Sequence, residues 1–129
     1  MRVRRVELQR LFVAERAKFS RLYPHVARTT LVVSGEYHLP GGREWRDVAQ
    51  ASPEPDGFTV HIVQRALRLP RPNLVALVRH ELAHVADMTL GERETDALAM
   101  RVTGRPIRYD ARKLQTTGRG GTRPSGLHR

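Results

Sequence analysis

The chain has 129 residues, which suits a single domain with one modest core. Lys and Arg number 23 against 13 Asp and Glu, and the resulting net charge of +10 favours acidic partners such as nucleic acid or acidic proteins. The absence of cysteine excludes disulfides and thiolate metal sites, so any transition metal must be held by imidazole and carboxylate groups.

The N-terminal segment from Val3 to about Leu22 is predicted to be an amphipathic helix, because apolar residues recur at helical spacing until Pro24. Arg and Glu interrupt these apolar residues, so the segment lacks the continuous apolar stretch of a signal peptide. No run elsewhere approaches the length of a membrane span. We therefore expect a cytoplasmic protein.

Two segments are predicted to be strands. Residues 29–34 (TTLVVS) are rich in β-branched residues, and residues 58–63 (FTVHIV) alternate between apolar and polar. The stretch between them contains a Gly pair and the sequence PEPDG at 53–57, both of which are turn signals. We interpret it as a loop-bounded hairpin with a short strand around residues 45–49.

A helix is predicted to open at Pro72 or Asn73 and to run through Asp87 toward Gly91. A second helix is expected over residues 92–102. It should stop at a glycine, because Gly104 follows and Pro106 lies just beyond.

After Asp110 the chain becomes polar, Gly-rich and basic, with too little apolar surface to pack by itself. We expect one domain over residues 1–110 and a flexible basic tail over residues 111–129. The tail is interpreted either as a disordered terminus or as an electrostatic contact for an acidic or nucleic-acid partner.

The first predicted helix after the strands contains the motif H-E-x-x-H, formed by His80, Glu81 and His84. On a helix the two histidines lie within roughly 40° of each other, so both imidazoles can reach one ion. Glu81 lies roughly 100° away, where its carboxylate can take a proton from a water molecule that the metal activates. The opposite side of this helix is apolar, which indicates that the histidine face is not the main core face. Its apolar residues are Leu74, Val75, Val78, Leu82 and Val85.

A catalytic zinc site needs a third protein ligand, and Glu92 is our choice. Glu92 and Asp96 share a face of the second helix, so one can bind metal while the other accepts a hydrogen bond from a ligating histidine. Glu94 is the alternative ligand, although it points roughly 200° away from Glu92. Another interpretation is that both glutamates only favour the N-terminus of the helix electrostatically.

Only seven residues separate His84 from Glu92, so the second helix must fold straight back at Gly91.

Asp87 lies three residues after His84 and, on a continuous helix, roughly 60° from it. It could orient a ligand or contact substrate, or it could be an ordinary surface residue near the end of a helix.

The motif and the following E-x-x-x-D at Glu92 and Asp96 resemble the gluzincin metallopeptidases, the thermolysin-like group of zincins. The resemblance covers roughly residues 58–103. It implies zinc held by two histidines and the first glutamate, with the aspartate behind them. Metzincins and SprT-like proteases fit less well, because a third histidine at the required place is missing. No His or Tyr motif marks a transition-state donor, and His61 and Tyr109 are only candidates.

The resemblance also implies an α+β, minimal zincin-like fold. In it, an N-terminal helix and a small twisted sheet pack against the active-site helix and a second ligand helix. The strand at 58–63 is expected at the edge of the cleft, where it would hold an extended peptide by β-augmentation. The expected function is zinc-dependent peptide hydrolysis, with Glu81 as general base. The alternatives are a non-catalytic zincin-like binding module and an arginine-rich nucleic-acid-binding protein.

Overall fold

The computed structural model describes residues 3–35 and 48–105. Within these ranges the chain forms three α-helices and three strands, so it is mixed α+β, as predicted. In chain order they are α1 (Arg5–Leu22), β1 (Thr29–Ser34), β2 (Ala49–Glu54), β3 (Gly57–Val63), α2 (Arg71–Ala86) and α3 (Glu92–Thr103). Short 3₁₀ turns at Pro24–Arg28 and Gln64–Arg68 precede β1 and α2. The predicted tail and the domain boundary at residue 110 lie outside the described residues.

The ends of the helices follow from local chemistry. At the start of α1 the Glu7 carboxylate accepts a hydrogen bond from the Arg4 backbone N–H (2.9 Å), half of a capping box. At the end of α3, Gly104 takes a left-handed conformation (φ 73°) that glycine adopts without strain. None of the described helices combines the length and the apolar character needed to cross a membrane.

The three strands form one sheet in the order β1-β3-β2. β1 runs parallel to β3, whereas β2 runs antiparallel to it and is joined to it by a two-residue turn, Pro55-Asp56. The residue after this turn must be glycine, because a Cβ on Gly57 would lie 2.3 Å from the carbonyl oxygen of Arg28. The hairpin therefore sits tightly against the turn that leads into β1.

A strand lies where the sequence suggested only turn signals. β2 begins at Ala49 and continues to Glu54, through Pro53, whereas most of the short strand expected around residues 45–49 lies outside the described residues. Pro53 is tolerated because β2 is an edge strand of the sheet, where a missing backbone N–H costs least. The residues before Val48 in this stretch, 36–47, lie outside the described ranges.

The expectation that the strand at 58–63 holds an extended peptide by β-augmentation is wrong. β3 is the central strand and is hydrogen-bonded on both sides, so an extended peptide cannot add to it. Among the described strands the edges belong to β1 and β2, and α2 packs against β2. The alternating sequence showed that one face of β3 is buried, but alternation carries no information about how many strands flank it.

The core lies between the sheet and the helices, and α2 is more deeply enclosed than its sequence suggested. Most of its residues are buried, including His80 and Glu81 on the face that we expected to be less covered. The reason is that α1 and α3 both pack against α2 in addition to the sheet. The largest fully buried apolar side chains are Phe12, Phe19, Leu8, Ile62, Leu69, Leu74, Leu77, Leu82 and Leu98.

A buried ion pair joins α1 to α2. The Glu15 carboxylate accepts hydrogen bonds from Nε (2.8 Å) and Nη2 (3.2 Å) of Arg79, and from Nζ of Lys18 (3.1 Å). The Glu15 side chain is 8% exposed and the Arg79 side chain 12%, so the two-point contact is largely shielded from solvent. Arg79 directly precedes His80, so this pair anchors α2 next to its first histidine.

Replacing Glu15 with Gln should destabilise the fold in a pH-dependent way. Burial alone would raise the pKa of Glu15, but the bonds to Arg79 and Lys18 outweigh it and hold the pKa below its ordinary value of 4.5. The stabilisation is therefore present above pH 4.5 and is lost as the pH falls below it. We expect the substitution to lower the free energy of unfolding at pH 7 by about 1–3 kcal/mol.

Urea unfolding at a series of pH values measures this difference. It should shrink as the pH falls below 4.5, because the wild-type carboxylate then loses its charge. The exposed Glu54→Gln is the matched control and should change stability by less than about 0.5 kcal/mol. A Glu15→Gln effect as small as that of the control would show that the pair contributes little.

Candidate metal centre

His80 and His84 lie one turn apart on α2, as the motif predicts. Their ring centroids are 4.6 Å apart and the ring planes are nearly perpendicular, at 88°. The His80 side chain is only 1% exposed, whereas that of His84 is 14% exposed. The helix therefore presents two imidazoles to the same small volume, one deeply buried and one near the surface.

α3 folds back on α2 and brings a carboxylate to both rings. Oε1 of Glu92 lies 2.7 Å from Nε2 of His80, and Oε2 lies 3.4 Å from Nε2 of His84. One ligand atom from each of these three residues lies within 4.8 Å of the other two. The short connection predicted a sharp reversal between the two helices. The chain makes this reversal in the residues between Ala86 and Glu92.

Asp96, one turn after Glu92, contacts the other nitrogen of His80. Its Oδ1 lies 2.7 Å from Nδ1, a distance at which Nδ1–H donates a strong hydrogen bond to the carboxylate. A protonated imidazole donates from both nitrogens, and Nε2 lies 2.7 Å from Oε1 of Glu92. A metal cation bound at Nε2 would replace the proton there and leave Nδ1–H bonded to Asp96.

The charges of the site explain the pKa values of its members. Burial by itself would lower the pKa of His80, but hydrogen bonds to Asp96 and Glu92, together with the charge of Glu81, raise it to about 10. Burial would raise the pKa of Glu92, but the bonds to His80 and His84 lower it to about 2. The cluster therefore favours a positive charge between the carboxylates, which a proton or a metal cation can supply.

Glu81 lies beside the histidines rather than in the ligand group. Its side chain is fully buried, and its charge is one of the causes of the raised pKa of His80. A buried carboxylate next to a histidine of the ligand group adds to the negative charge that surrounds the site.

The donor set has the chemistry of a zinc site. Two imidazole nitrogens and one carboxylate oxygen are a known catalytic set, which leaves a fourth position open. Zinc ligands about 2.0–2.1 Å from the ion in a tetrahedron lie roughly 3.3 Å from each other. The contact of 3.4 Å between Glu92 and His84 matches this spacing, whereas the 2.7 Å contact with His80 would have to widen slightly. The Glu92 side chain is 29% exposed and has room to withdraw.

The remaining sequence candidates lie elsewhere. Among the described residues the ligand group contains Glu92 and not Glu94, which is exposed to solvent. His61 is on the central strand, where its Nδ1 lies 3.4 Å from the Ser34 hydroxyl, and it is not in the ligand group either. Tyr109 lies outside the described residues.

The expected helical position of Asp87 is wrong. α2 ends at Ala86, and the backbone of Asp87 is extended (φ −151°, ψ 99°), so the angle of roughly 60° from His84 does not apply. Its carboxylate instead bonds to Thr89. The next glycine, Gly91, suggested a later end of the helix than the one observed.

Two supports of α2 were missed by the sequence analysis, the Glu15–Arg79 pair and His25. The Nε2 of His25 lies 2.9 Å from the carbonyl oxygen of Val85, one of the last carbonyls of α2, which have no partner within the helix. Both contacts join residues about sixty positions apart, so no local spacing rule could reveal them.

Removing the carboxylate of Asp96 should weaken metal binding without abolishing it. Asp96→Ala leaves His80 without the acceptor that fixes its tautomer, and loss of such a partner typically costs about 10–100-fold in affinity. Asp96→Asn keeps an acceptor but no charge, so its zinc affinity should lie between those of wild type and Asp96→Ala. Competition with a chromogenic zinc chelator measures the affinities. Equal affinity for Asp96→Ala and wild type would show that His80 is oriented by other means.

Comparison of the chain with protein-family models, with curated proteins and with solved structures finds no match. The assignment of a function therefore depends on the side chains themselves. Those of α2 and α3 converge on a group that can hold a divalent metal.

Proposed function

We propose that this protein is a zinc-dependent peptidase of the zincin type. In this proposal His80, His84 and Glu92 hold zinc, and Glu81 is the general base. The observation that carries the proposal is the convergence of the three ligand atoms within 4.8 Å, with Asp96 behind His80. Histidine ligands in zinc sites commonly donate their second N–H to a carboxylate in this way.

The simpler explanation, that the acidic residues of α3 only favour its N-terminus, accounts poorly for Glu92. Its side chain reaches two histidines on another helix, with contacts of 2.7 and 3.4 Å. Glu94 has the features expected of a residue that only favours the N-terminus of α3 by its charge, since it is exposed and lies outside the ligand group. The comparison within one helix favours a ligand role for Glu92.

When bound at this donor set, zinc would polarise a scissile carbonyl and acidify a water molecule. Glu81 would take the proton from that water and pass it to the leaving amine. Asp96 would keep the proton of His80 on Nδ1, so that Nε2 could bind the metal. The Glu15–Arg79 pair anchors α2 at the residue before His80. Each side chain thus has one defined task in peptide hydrolysis.

The proposed fold is a minimal zincin-like domain. Its support is the arrangement of α2 and α3, which pack together and against a small sheet whose antiparallel edge strand, β2, contacts α2. If a peptide substrate pairs with this sheet, β3 cannot be the strand that receives it, because both of its sides are already occupied.

Zinc titration of metal-free protein, followed by cleavage assays on an unfolded protein such as casein, tests the proposal. We expect one zinc per chain and cleavage that a chelator abolishes. Stoichiometric zinc without cleavage would instead support a non-catalytic zincin-like module. Salt-dependent nucleic-acid binding without zinc would support the arginine-rich nucleic-acid-binding alternative and overturn the peptidase.

A further inference from the structure

The five residues from Asp87 to Gly91 form the turn that carries α3 back to the histidines. Oδ1 of Asp87 accepts two hydrogen bonds, from the Thr89 backbone N–H (3.0 Å) and from the Thr89 hydroxyl (2.6 Å). The Leu90 backbone N–H also points to the Asp87 carbonyl oxygen, at 3.5 Å. A single carboxylate oxygen therefore closes the first half of the turn.

The second half of the turn is attached directly to α3. The Gly91 carbonyl oxygen accepts hydrogen bonds from the Thr95 backbone N–H (2.9 Å) and from the Thr95 hydroxyl (2.7 Å). Glu92 is the first residue of α3 and follows Gly91 immediately. The hydrogen bonds of Thr95 thus tie the end of the turn to the first turn of α3, where Glu92 lies.

We infer that Asp87 is a positioning residue for the metal centre, because its bonds to Thr89 fix the turn that holds Glu92 against His80 and His84. The inference rests on the proposed zinc site. Asp87 is not in the ligand group among the described residues, so it acts on the site only through the turn. Its bonds to Thr89 lie at the protein surface, so losing them should affect the position of Glu92 more than the packing of the core.

The test compares Asp87→Ala with Asp87→Asn. Asparagine keeps an oxygen acceptor for both Thr89 donors, whereas alanine removes it. We expect Asp87→Ala to lose about 10-fold in zinc affinity, the size of about one net hydrogen bond, and Asp87→Asn to stay within about 3-fold of wild type. Competition with a chelator gives the affinities, and thermal melting of the metal-free proteins controls for general destabilisation.

A double-mutant cycle with Glu92→Ala tests the route of the effect. If Asp87 acts through Glu92, Asp87→Ala should cause no further loss of the residual zinc affinity once Glu92 is absent. If Asp87→Ala reduces zinc affinity equally in the wild type and in Glu92→Ala, the inference is overturned. It is also overturned if Asp87→Ala lowers the melting temperature of the metal-free protein but binds zinc as tightly as wild type. Failure of the wild type to bind zinc would overturn the proposed function itself, a result distinct from the other two.

Discussion

Replacing Glu81 with Gln should leave zinc binding intact and reduce peptide hydrolysis by about 10²–10⁴-fold, the contribution typical of a general base. Glutamine has nearly the same shape, so the substitution leaves no cavity at this fully buried position. It removes one negative charge near His80, and that charge favours a proton and a metal cation alike, so its loss shifts the competition between them little. Zinc affinity should therefore not fall while turnover does.

Steady-state cleavage assays and zinc titration on the same preparation separate these two effects. Glu94→Gln is the matched control, since it makes the same chemical change at an exposed position outside the ligand group, and it should hydrolyse substrate like wild type. Turnover by Glu81→Gln at the wild-type rate would remove Glu81 as the base. Loss of zinc from this variant would show instead that the carboxylate supports the ligands.

Which site residues share a face of each helix could be predicted, because this depends on helical periodicity. The four-residue spacing of His80 and His84 places both rings on one side of α2, and the same spacing places Glu92 and Asp96 on one side of α3. The structure brings Glu92 to both histidines and Asp96 to the second nitrogen of His80.

Features that depend on tertiary neighbours were not predictable in the same way. The period-two pattern of β3 is the same for a central strand and an edge strand, so its place in the sheet was predicted wrongly. The apolar and histidine faces of α2 suggested one covered side, whereas α1, α3 and the sheet together enclose it. The bond from Asp87 to Thr89 competes with continuation of the helix, and apolar spacing gives no sign of that competition.

Zinc should raise the melting temperature of the wild-type protein, and His84→Ala should abolish most of that increase. An ion present at about 1,000 times its dissociation constant stabilises the folded state by about 4 kcal/mol. In a chain of this length each kcal/mol corresponds to about 3–5 °C, so the shift should exceed about 10 °C. His84 is the more exposed of the two histidines, so its truncation removes a ligand with less loss of core packing than truncation of His80.

Differential scanning calorimetry with added zinc and with a chelator measures both shifts, and the chelator condition reports the intrinsic cost of each substitution. Glu92→Ala should lose the zinc-dependent increase as His84→Ala does, whereas Glu94→Ala on the same helix should keep it, because only Glu92 reaches the histidines. This contrast isolates coordination from helix electrostatics, since both glutamates lie in the first turn of α3. A full zinc-dependent increase in His84→Ala, or equal losses in the two glutamate variants, would contradict the ligand assignment.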